Sequence, residues 1–413
     1  MKPVLIAGGG IGGLTAALAL HQAGIRVRVF EGVRTIRPLG VGINLLPHSV
    51  KILADLGMLP ALAATAIETE GLVYFNKHGQ RIWSEPRGLA AGYDVPQFSV
   101  HRGELQLLLL QAVEARLGAG AVETGHHLTR FDSGPDGVTA VFTESPGGSE
   151  IARVAGSLLI GADGIHSVVR RTFYPDEGPA VFSGRTLWRA VTESEPYLGG
   201  RTMVMVGHEN QKFVSYPISG AEHRRGRSLT NWIAELRVGG ETPSRHDWNK
   251  EVPASVFRAP FAGWRFDWLD VPGLIDGAKA IYEFPMVDRD PLPQWTFDRV
   301  TLLGDAAHPM YPIGSNGASQ AILDSAALTR RLTELGTTPA ALEAYEEDRR
   351  GPTGAIVLAN RQNGPERVMQ IAEERAPNGF AHIHEVIGQA ELEEIAARYK
   401  RTAGFSREQV NRS

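Results

Sequence analysis

Three acidic residues each follow a short apolar run that could form a buried strand. Glu31 follows the run at 26–30, Asp163 follows 158–161, and Asp305 follows 300–303. A carboxylate at such a position can accept hydrogen bonds from the hydroxyl groups of a sugar or polyol. Ligands of open α/β sheets lie just beyond the ends of the strands. The recurrence of the pattern therefore predicts a ligand site at these strand ends.

The first acid belongs to a dinucleotide-binding pattern. An apolar run at 3–7 leads into Gly8-Gly9-Gly10-Ile11-Gly12-Gly13, in which Gly8, Gly10 and Gly13 satisfy G-x-G-x-x-G, and a helix is predicted at 14–23. The glycines allow a pyrophosphate to approach the helix N-terminus, and Glu31 would accept from the ribose hydroxyls. An acid at this position favours FAD or NAD over NADP.

The third acid opens a second strand-loop-helix unit. Gly304-Asp305 is followed by a loop with Pro309, Pro312 and Gly314, and Asn316-Gly317 begins a helix predicted at 318–335. The partial positive charge of a helix start could hold negative charge on a ligand. An ordinary connection, with Asp305 as a buried cap, remains the alternative from this stretch alone.

The strand and helix patterns divide the chain. Strands alternate with helices up to about residue 180, whereas 184–284 contains several strands joined by short turns, with short helices expected at 247–257 and 261–267. The sequence predicts an α/β protein: a Rossmann-like domain at 1–180 and 285–340, an inserted antiparallel-sheet domain at 181–284, and a helical C-terminal segment at 341–413.

Composition excludes several classes of protein. The net charge of −4 over 413 residues argues against a nucleic-acid partner, and the absence of cysteine excludes disulfides and thiolate metal sites. No apolar run approaches the ~18 residues of a membrane-spanning helix. No histidine has metal-ligand spacing, so no metal is expected. We expect a cytoplasmic protein without a membrane partner.

Taken together, the three motifs resemble the single-component FAD-dependent aromatic hydroxylases, the para-hydroxybenzoate hydroxylase type (class A) of flavoprotein monooxygenase. Further stretches at 36–44, 83–88, 101–106 and 283–293 are most similar to members that hydroxylate phenazine carboxylates. The resemblance extends to about residue 363. It implies FAD as cofactor and NAD(P)H as co-substrate.

The resemblance also implies roles for single residues. The cofactor would be held by Gly8, Gly10, Ile11, Gly12, Gly13, Glu31, Gly42, Arg102, Asp163, Gly164, Asp305, Gly314, Asn316, Gly317 and Ala318. Within this set, Asp305 would bind the ribityl chain, and the N–H groups of Gly317 and Ala318 would stabilise negative charge on the reduced flavin. The catalytic positions would be Gly317, Ala318 and Pro312, whose carbonyl could accept from the substrate. The substrate would contact Arg189, Met203, Tyr216, Trp232 and Pro312, with Arg189 pairing with a carboxylate.

The implied reaction is hydroxylation of a planar aromatic or N-heteroaromatic carboxylic acid, phenazine- or salicylate-like, by a flavin C4a-hydroperoxide formed from O2, with or without decarboxylation. Epoxidation or ring-opening oxygenation on the same scaffold remains open. So do a non-catalytic FAD-binding redox sensor and a plain NAD-dependent dehydrogenase. A monomer and a homodimer are both compatible with the sequence.

Overall fold

The computed structural model describes residues 2–38, 40–240 and 250–412. One layer of the protein is a five-stranded parallel sheet. Its strand order is Val300–Leu302, Leu158–Gly161, Val4–Ala7, Val27–Glu31 and Val122–Thr124. The central strands Val4–Ala7 and Leu158–Gly161 are buried along their whole length, as their continuous apolar sequences require. Because the strands are parallel, their carboxyl ends share one edge, where Glu31, Asp163 and Asp305 follow.

Helices pack on this sheet and on one another. Ile11–Gln22 follows the first strand and packs against both Arg102–Leu117 and the long helix Gly317–Leu335. The remaining helices are Pro47–Asp55, Leu59–Thr65, Val168–Phe173, Gly220–Arg224, Val271–Asp276, Pro339–Arg361, Arg367–Arg375, Gln389–Thr402 and Arg407–Arg412. No helix in the described part of the chain is long and apolar enough to span a membrane.

A second, eight-stranded sheet contributes side chains to the candidate site from one of its faces. Its order is Lys250–Glu251, Tyr282–Asp288, Val181–Ser194, Ser228–Arg237, Gln211–Pro217, Thr202–His208, Gly71–Phe75 and Arg81–Pro86. Neighbouring strands are antiparallel except for Thr202–His208 beside Gly71–Phe75. The α/β class with an inserted, largely antiparallel sheet is therefore confirmed. The last two strands come from the earlier part of the chain, so the sheet extends beyond the predicted 181–284 domain.

Three small sheets complete the strand inventory. They are Glu150–Gly156 with Gly137–Thr143 and His127–Gly134; Gly42–Leu45 with Phe98–His101 and Ile67–Glu68; and the hairpin Arg265–Phe266 with Leu269–Asp270. The hairpin contradicts the helix predicted at 261–267, where only the short turn Ala259–Phe261 is helical and Gly263 follows it. Residues 247–249 of the other predicted helix lie outside the described residues, and 250–257 contradicts the prediction, since it contains the strand Lys250–Glu251 and only the short helical turn Ala254–Val256.

The predicted helical C-terminus is confirmed, and it packs on the eight-stranded sheet. Met369 and Ile371 from Arg367–Arg375 and Leu392 from the C-terminal helix Gln389–Thr402 share one buried cluster with Leu72 and Met203 of the sheet. The C-terminal segment thus covers the sheet face that carries Leu72 and Met203.

Candidate active site

The glycine-rich turn combines close packing with one open position. A Cβ added at Gly8, whose φ is +113°, would lie 2.2 Å from the Ala162 carbonyl oxygen, and one at Gly13 would lie 2.0 Å from that of Gly8. Gly12 is similarly closed, by Leu303 at 2.7 Å. A Cβ at Gly10 would meet nothing within 4 Å, although Gly10 directly precedes the helix that Ile11 begins. Space for a ligand is therefore left at the helix N-terminus.

Glu31 fixes this turn to the second strand. Its Oε2 accepts from the Gly9 N–H at 2.7 Å and its Oε1 from the Val33 N–H at 2.9 Å. Each carboxylate oxygen can accept a second bond. Glu31 can therefore still accept a hydrogen bond from a ribose hydroxyl, which is the role that the sequence predicts.

Asp163 binds the start of the helix Val168–Phe173, whose N-cap residue is Ser167. Its Oδ2 accepts from the Val168 N–H at 2.7 Å, whereas its Oδ1 is buried with no partner among the described residues. Burial raises the pKa of this carboxyl. Gly164 follows with a φ of +74°. Asp163 therefore has a structural role, and one oxygen remains available for the predicted ligand contact.

Asp305 projects to the surface at the end of the third strand, in the turn Gly304–Ala306. Its side chain forms no hydrogen bond or ion pair with the rest of the described chain. The alternative that Asp305 is a buried cap is wrong, because it is exposed and the Gly304 N–H donates instead to Oδ2 of the buried Asp324 at 3.0 Å. The carboxylate of Asp305 is thus free for a ligand.

Arg170 joins the second and third motifs. Its buried guanidinium donates to the carbonyls of Ala306 and Ala307 at 3.1 and 2.9 Å and pairs with Glu177 at 2.6 Å. The sequence pattern did not show this crosslink, since a lone arginine in a helix carries no pairing signal. It holds the turn that presents Asp305.

The loop before the long helix has the geometry of an anion site. Gly314 and Ser315 have φ values of +67° and +58°, and Asn316 precedes the helix without capping it. The first N–H groups of the helix, at Gly317 and Ala318, are therefore left for a ligand. A Cβ at Gly317 would meet nothing within 4 Å. Pro312 lies exposed at the loop start.

The side chain of Asn316 is used within the protein. Its Nδ2 donates to the Gly314 carbonyl at 3.1 Å and to the Tyr399 hydroxyl at 2.9 Å, and its Oδ1 accepts from Gln320 at 3.2 Å. The predicted cofactor contact of Asn316 can then come only from its backbone.

Tyr399 of the C-terminal helix packs against the loop before the long helix and hydrogen-bonds to it. A Cβ at Gly314 would lie 2.1 Å from its hydroxyl oxygen, so only glycine fits there. The hydroxyl also lies 2.8 Å from Asn360 Oδ1 and 3.2 Å from the Ile313 carbonyl oxygen. No sequence motif marks this contact.

Tyr399→Phe should loosen the loop while keeping the ring packing. We expect the free energy of unfolding to fall by about 1–3 kcal/mol, because the buried amides of Asn316 and Asn360 lose their shared partner. Hydrogen exchange should increase at 313–317. Tyr174→Phe, which removes an exposed hydroxyl bonded to the Gln294 carbonyl, is the control. Equal exchange in both variants would contradict a locking role.

Three side chains of the eight-stranded sheet hydrogen-bond to the backbone of Gly42. The Gly42 carbonyl accepts from the Tyr216 hydroxyl at 2.8 Å and from Arg189 Nη2 at 3.1 Å, and its N–H donates to Asn231 Oδ1 at 2.7 Å. Both polar backbone groups of Gly42 are therefore occupied within the protein, and a Cβ there would lie 2.7 Å from Asn231, Ile218 and Tyr216, so the sheet packs directly against this glycine. Asn231 was not anticipated, because its position in an apolar strand resembles a core position.

Arg189 and Arg102 make this region positive. Burial lowers the pKa of Arg189, and the nearby charge of Arg102 lowers it further, although the Tyr216 side chain opposes both. The Nε of Arg189 is buried without a partner among the described residues. Arg102 is exposed beside Gly40 and forms no ion pair within the described chain. Two cations without acidic partners are suited to an anionic ligand.

Trp232 does not belong to this face, which corrects the prediction that it contacts the substrate. Its cross-strand neighbour is Ser215, whereas that of Tyr216 is Asn231, so the two rings project to opposite sides of the sheet. The Trp232 indole donates to Thr192 at 2.9 Å and stacks near Phe213. It is a core residue behind the site.

Met203 does face inward and lines a cavity between the sheet, the loop and the C-terminal segment. Asn44 Nδ2 lies 3.5 Å from the Met203 sulfur and 3.4 Å from Ser315 Oγ. The cavity walls are apolar at Leu46, Leu72, Met203, Met205 and Phe405, and polar at Tyr74, Glu85, Arg87, Gln97 and Lys400. No group of three metal-ligating side chains occurs in the described residues.

The fold and these sites define a class, and the chain belongs to the FAD binding domain family, whose model matches residues 1–261 and 282–359. It is a flavoprotein monooxygenase of the aromatic hydroxylase type, with FAD as cofactor.

Two relatives illustrate the similarity. The chain is 46% identical over 361 residues to a phenazine 1,6-dicarboxylic acid hydroxylase of Lysobacter antibioticus, covering 87% of this chain and 89% of that one. It is 32% identical over 372 residues to a 3-hydroxybenzoate 6-hydroxylase of Polaromonas naphthalenivorans, covering 88% and 87%. The solved structure of a salicylate hydroxylase substrate complex superposes with a TM-score of 0.73 at 22% identity, covering 97% of this chain and 98% of that one.

Proposed function

We propose that this protein uses NAD(P)H and O2 to hydroxylate a planar aromatic or N-heteroaromatic carboxylic acid of the phenazine or salicylate type, with or without decarboxylation. The observation that carries the proposal is Arg189, whose buried Nε has no partner among the described residues, on the sheet face that it shares with Tyr216 and Met203. Apolar walls with a few convergent polar groups are typical of small-molecule sites. The names of the two relatives support the same substrate class.

The residues present fit FAD. Gly10 leaves open space for a pyrophosphate, Glu31 offers a carboxylate to the ribose, and Asp305 offers one to the ribityl chain. The uncapped helix start at Gly317 and Ala318 would face the flavin ring. Bound FAD supplies the redox chemistry, taking two electrons from the nicotinamide and activating dioxygen for transfer of one oxygen atom.

The protein's own residues are proposed to stabilise negative charge, to orient the substrate and to exclude water. The N–H groups of Gly317 and Ala318 are proposed to favour negative charge beside the ring, and Arg102 and Arg189 add positive charge at Gly40 and Gly42. Met203 and Tyr216 form the sheet side of the site, and the Pro312 carbonyl is proposed to accept from the substrate. The C-terminal helix Gln389–Thr402 lines the cavity at Ala396, Tyr399 and Lys400, and its proposed role is to limit the access of water, which diverts activated oxygen into peroxide.

The remaining parts of the proposal rest on the sequence. We place the protein in the cytoplasm, as a monomer or homodimer with no nucleic-acid or membrane partner. The division into an FAD-binding domain at 1–180 and 285–340, a substrate domain at 181–284 and a C-terminal segment at 341–413 also stays a proposal.

The proposal is tested by a visible spectrum of the purified protein and an NAD(P)H-oxidation assay. The substrate panel is phenazine-1,6-dicarboxylate, phenazine-1-carboxylate, salicylate and 3-hydroxybenzoate. We expect a flavin spectrum and one acid that both accelerates oxidation and gains one oxygen atom by mass spectrometry. Flavin without any substrate-stimulated oxidation favours the redox sensor, and an opened or epoxidised product favours ring-opening oxygenation or epoxidation. NAD(P)H oxidation without flavin would restore the dehydrogenase hypothesis.

Arg189→Ala should raise the KM for carboxylated substrates about tenfold or more, because a charge-assisted hydrogen bond contributes about 1.5–3 kcal/mol. The partnerless Nε motivates the prediction. Steady-state kinetics with an acid and with its neutral amide provide the control, since the amide should be much less affected. An unchanged KM for the acid would remove Arg189 from the site.

A further inference from the structure

We propose that Asn44 is a positioning residue, which holds Ser315 in a left-handed conformation and thereby orients the first N–H groups of the long helix toward the flavin ring. This inference rests on the proposed function, in which those N–H groups face the ring, and deepens it. Asn44 lies in the strand Gly42–Leu45, 271 positions before Ser315. The two residues meet only because the fold brings the strand to the loop.

The loop before the long helix contains two consecutive residues in the left-handed region. The φ values are +67° at Gly314 and +58° at Ser315. A glycine adopts this conformation at no steric cost, whereas a serine does not. A strained residue of this kind persists only where its surroundings hold it, and such residues cluster at ligand sites. The contacts of Ser315 therefore control the direction of the backbone that follows.

Asn44 supplies the side-chain contact of Ser315. Its Nδ2 lies 3.4 Å from Ser315 Oγ, the one hydrogen-bond contact of that hydroxyl among the described residues. The same Nδ2 lies 3.5 Å from the sulfur of Met203 on the eight-stranded sheet. Asn44 is only 4% exposed, so its amide depends on these partners. Asn44 thus joins the loop to the sheet face of the site.

A chain of buried hydroxyls fixes the orientation of the Asn44 amide. Ser99 lies directly opposite Asn44 in the strand Phe98–His101, and its Oγ is 2.5 Å from Asn44 Oδ1. This distance suits an O–H···O bond and is too short for N–H···O. The single proton of Ser99 is then used, so the Thr69 hydroxyl, 2.7 Å away, donates to Ser99. Nδ2 is therefore the amide atom that faces Ser315.

The segment that begins at Asn44 also contacts the chain beyond the helix start. The Leu46 N–H donates to Ser319 Oγ at 3.2 Å, and Ser49 Oγ lies 3.0 Å from the same oxygen. Ser319 is fully buried in the first turn of the long helix. The segment thus contacts Ser315 before the free N–H groups and Ser319 after them. Two contacts on either side of these groups determine their direction.

The orientation of the N–H groups matters most when the flavin carries negative charge, because a helix N-terminus favours an anion. Misoriented N–H groups therefore weaken the binding of reduced FAD more than that of oxidised FAD. The midpoint potential of the bound flavin measures this difference. A change that only lowers the stability of the protein does not move the potential.

The test uses the FAD-loaded protein without substrate. Asn44→Leu and Ser315→Ala should each weaken the binding of reduced FAD about tenfold relative to oxidised FAD. For a two-electron couple this lowers the midpoint potential by about 30 mV. Hydrogen exchange at 315–318 should increase in both variants. Ser315→Ala removes only a partly buried hydroxyl, so it gives a result even if Asn44→Leu folds poorly.

A double-mutant cycle separates positioning from other effects. Glycine needs no support in the left-handed region, so Ser315→Gly should stay closer to the wild-type potential than Ser315→Ala. In the Ser315→Gly background, Asn44→Leu should change the ratio of the two FAD affinities less than about twofold. Asn76→Leu is the matched control. Asn76 is also 4% exposed, and it accepts from the Gln80 N–H at 2.9 Å in a turn. This variant should lose stability and keep the potential.

The outcomes separate this inference from the proposed function. An unchanged potential in both Asn44→Leu and Ser315→Ala overturns the positioning role. A shift in Asn44→Leu that is undiminished in the Ser315→Gly background also overturns it, as does an equal shift in Asn76→Leu. The expected shifts, in a wild type that hydroxylates none of the acids, support the positioning role and remove the proposed reaction. A wild-type protein that does not bind FAD overturns both.

Discussion

Gly10→Ala should fold normally and lose most of its affinity for FAD. The backbone at Gly10 has a φ of −77° and a ψ of −177°, which alanine adopts without strain. No protein atom lies within 4 Å of the added Cβ. The only object that the methyl group can meet is the ligand that occupies this space.

An added methyl group in a closely fitted site costs about 1–3 kcal/mol. At 1.4 kcal/mol for each factor of ten, the dissociation constant for FAD should rise by roughly one to two orders of magnitude. FAD titration of the cofactor-stripped protein measures this, and the melting temperature of the same protein reports on folding. Gly351→Ala, at an exposed helical glycine with equally open surroundings, is the matched control. Full FAD affinity in Gly10→Ala would place the pyrophosphate elsewhere.

The parallel sheet and its three acids could be predicted because their signals are local. A continuous apolar run, a glycine turn and an acid lie within a few residues of one another around Gly8–Gly13, Asp163 and Asp305. Each of these signals depends only on the backbone geometry and burial of a single strand and the turn that follows it. The structure accordingly has strands ending at Glu31, Gly161 and Leu302.

Side-chain direction in the eight-stranded sheet could not be predicted equally well. Tyr216 and Trp232 both lie in apolar strands, but the face that each one takes depends on the register between strands. A one-residue difference in pairing, Asn231 opposite Tyr216, sends Trp232 to the other side. The register between two strands cannot be read from the sequence of either strand alone.

The cavity's polar end and its closure come from contacts distant in sequence. Arg87 and Lys400 meet only because the C-terminal helix folds onto the sheet, and Tyr399 reaches Gly314 in the same way. None of these residues has a motif around it. They could be found only once the packing of Gln389–Thr402 was known.

Asp324→Asn should cost about 3–5 kcal/mol in the free energy of unfolding, the usual result of removing one partner from a buried ion pair. Asp324 is fully buried in the long helix. Its Oδ1 accepts from Arg349 at 2.8 Å, and its Oδ2 pairs with His308 at 2.6 Å and with the Gly304 N–H. The substitution leaves the Arg349 charge buried without its carboxylate and loosens the turn that presents Asp305.

The same carboxylate should make stability depend on pH. Burial alone opposes ionisation, but His308 and Arg349 outweigh it and lower the pKa of Asp324 from 3.8 to about 2. A folded-state pKa below the unfolded value contributes stability above about pH 4 that is lost as the pH falls toward 2. The shift corresponds to ~2 kcal/mol at neutral pH. Denaturant unfolding between pH 7 and pH 2 measures this contribution, which Asp324→Asn should lack.

Asp276→Asn is the matched control, since Asp276 pairs with Arg258 in the same way but is 48% exposed. Exposed ion pairs contribute about 0–1 kcal/mol, so this variant should remain close to the wild type. FAD affinity, measured in parallel, should fall in Asp324→Asn and not in Asp276→Asn, because Asp324, unlike Asp276, accepts from the Gly304 N–H next to Asp305. Equal stability of the two variants at neutral pH would show that Asp324 is not the anchor of this turn.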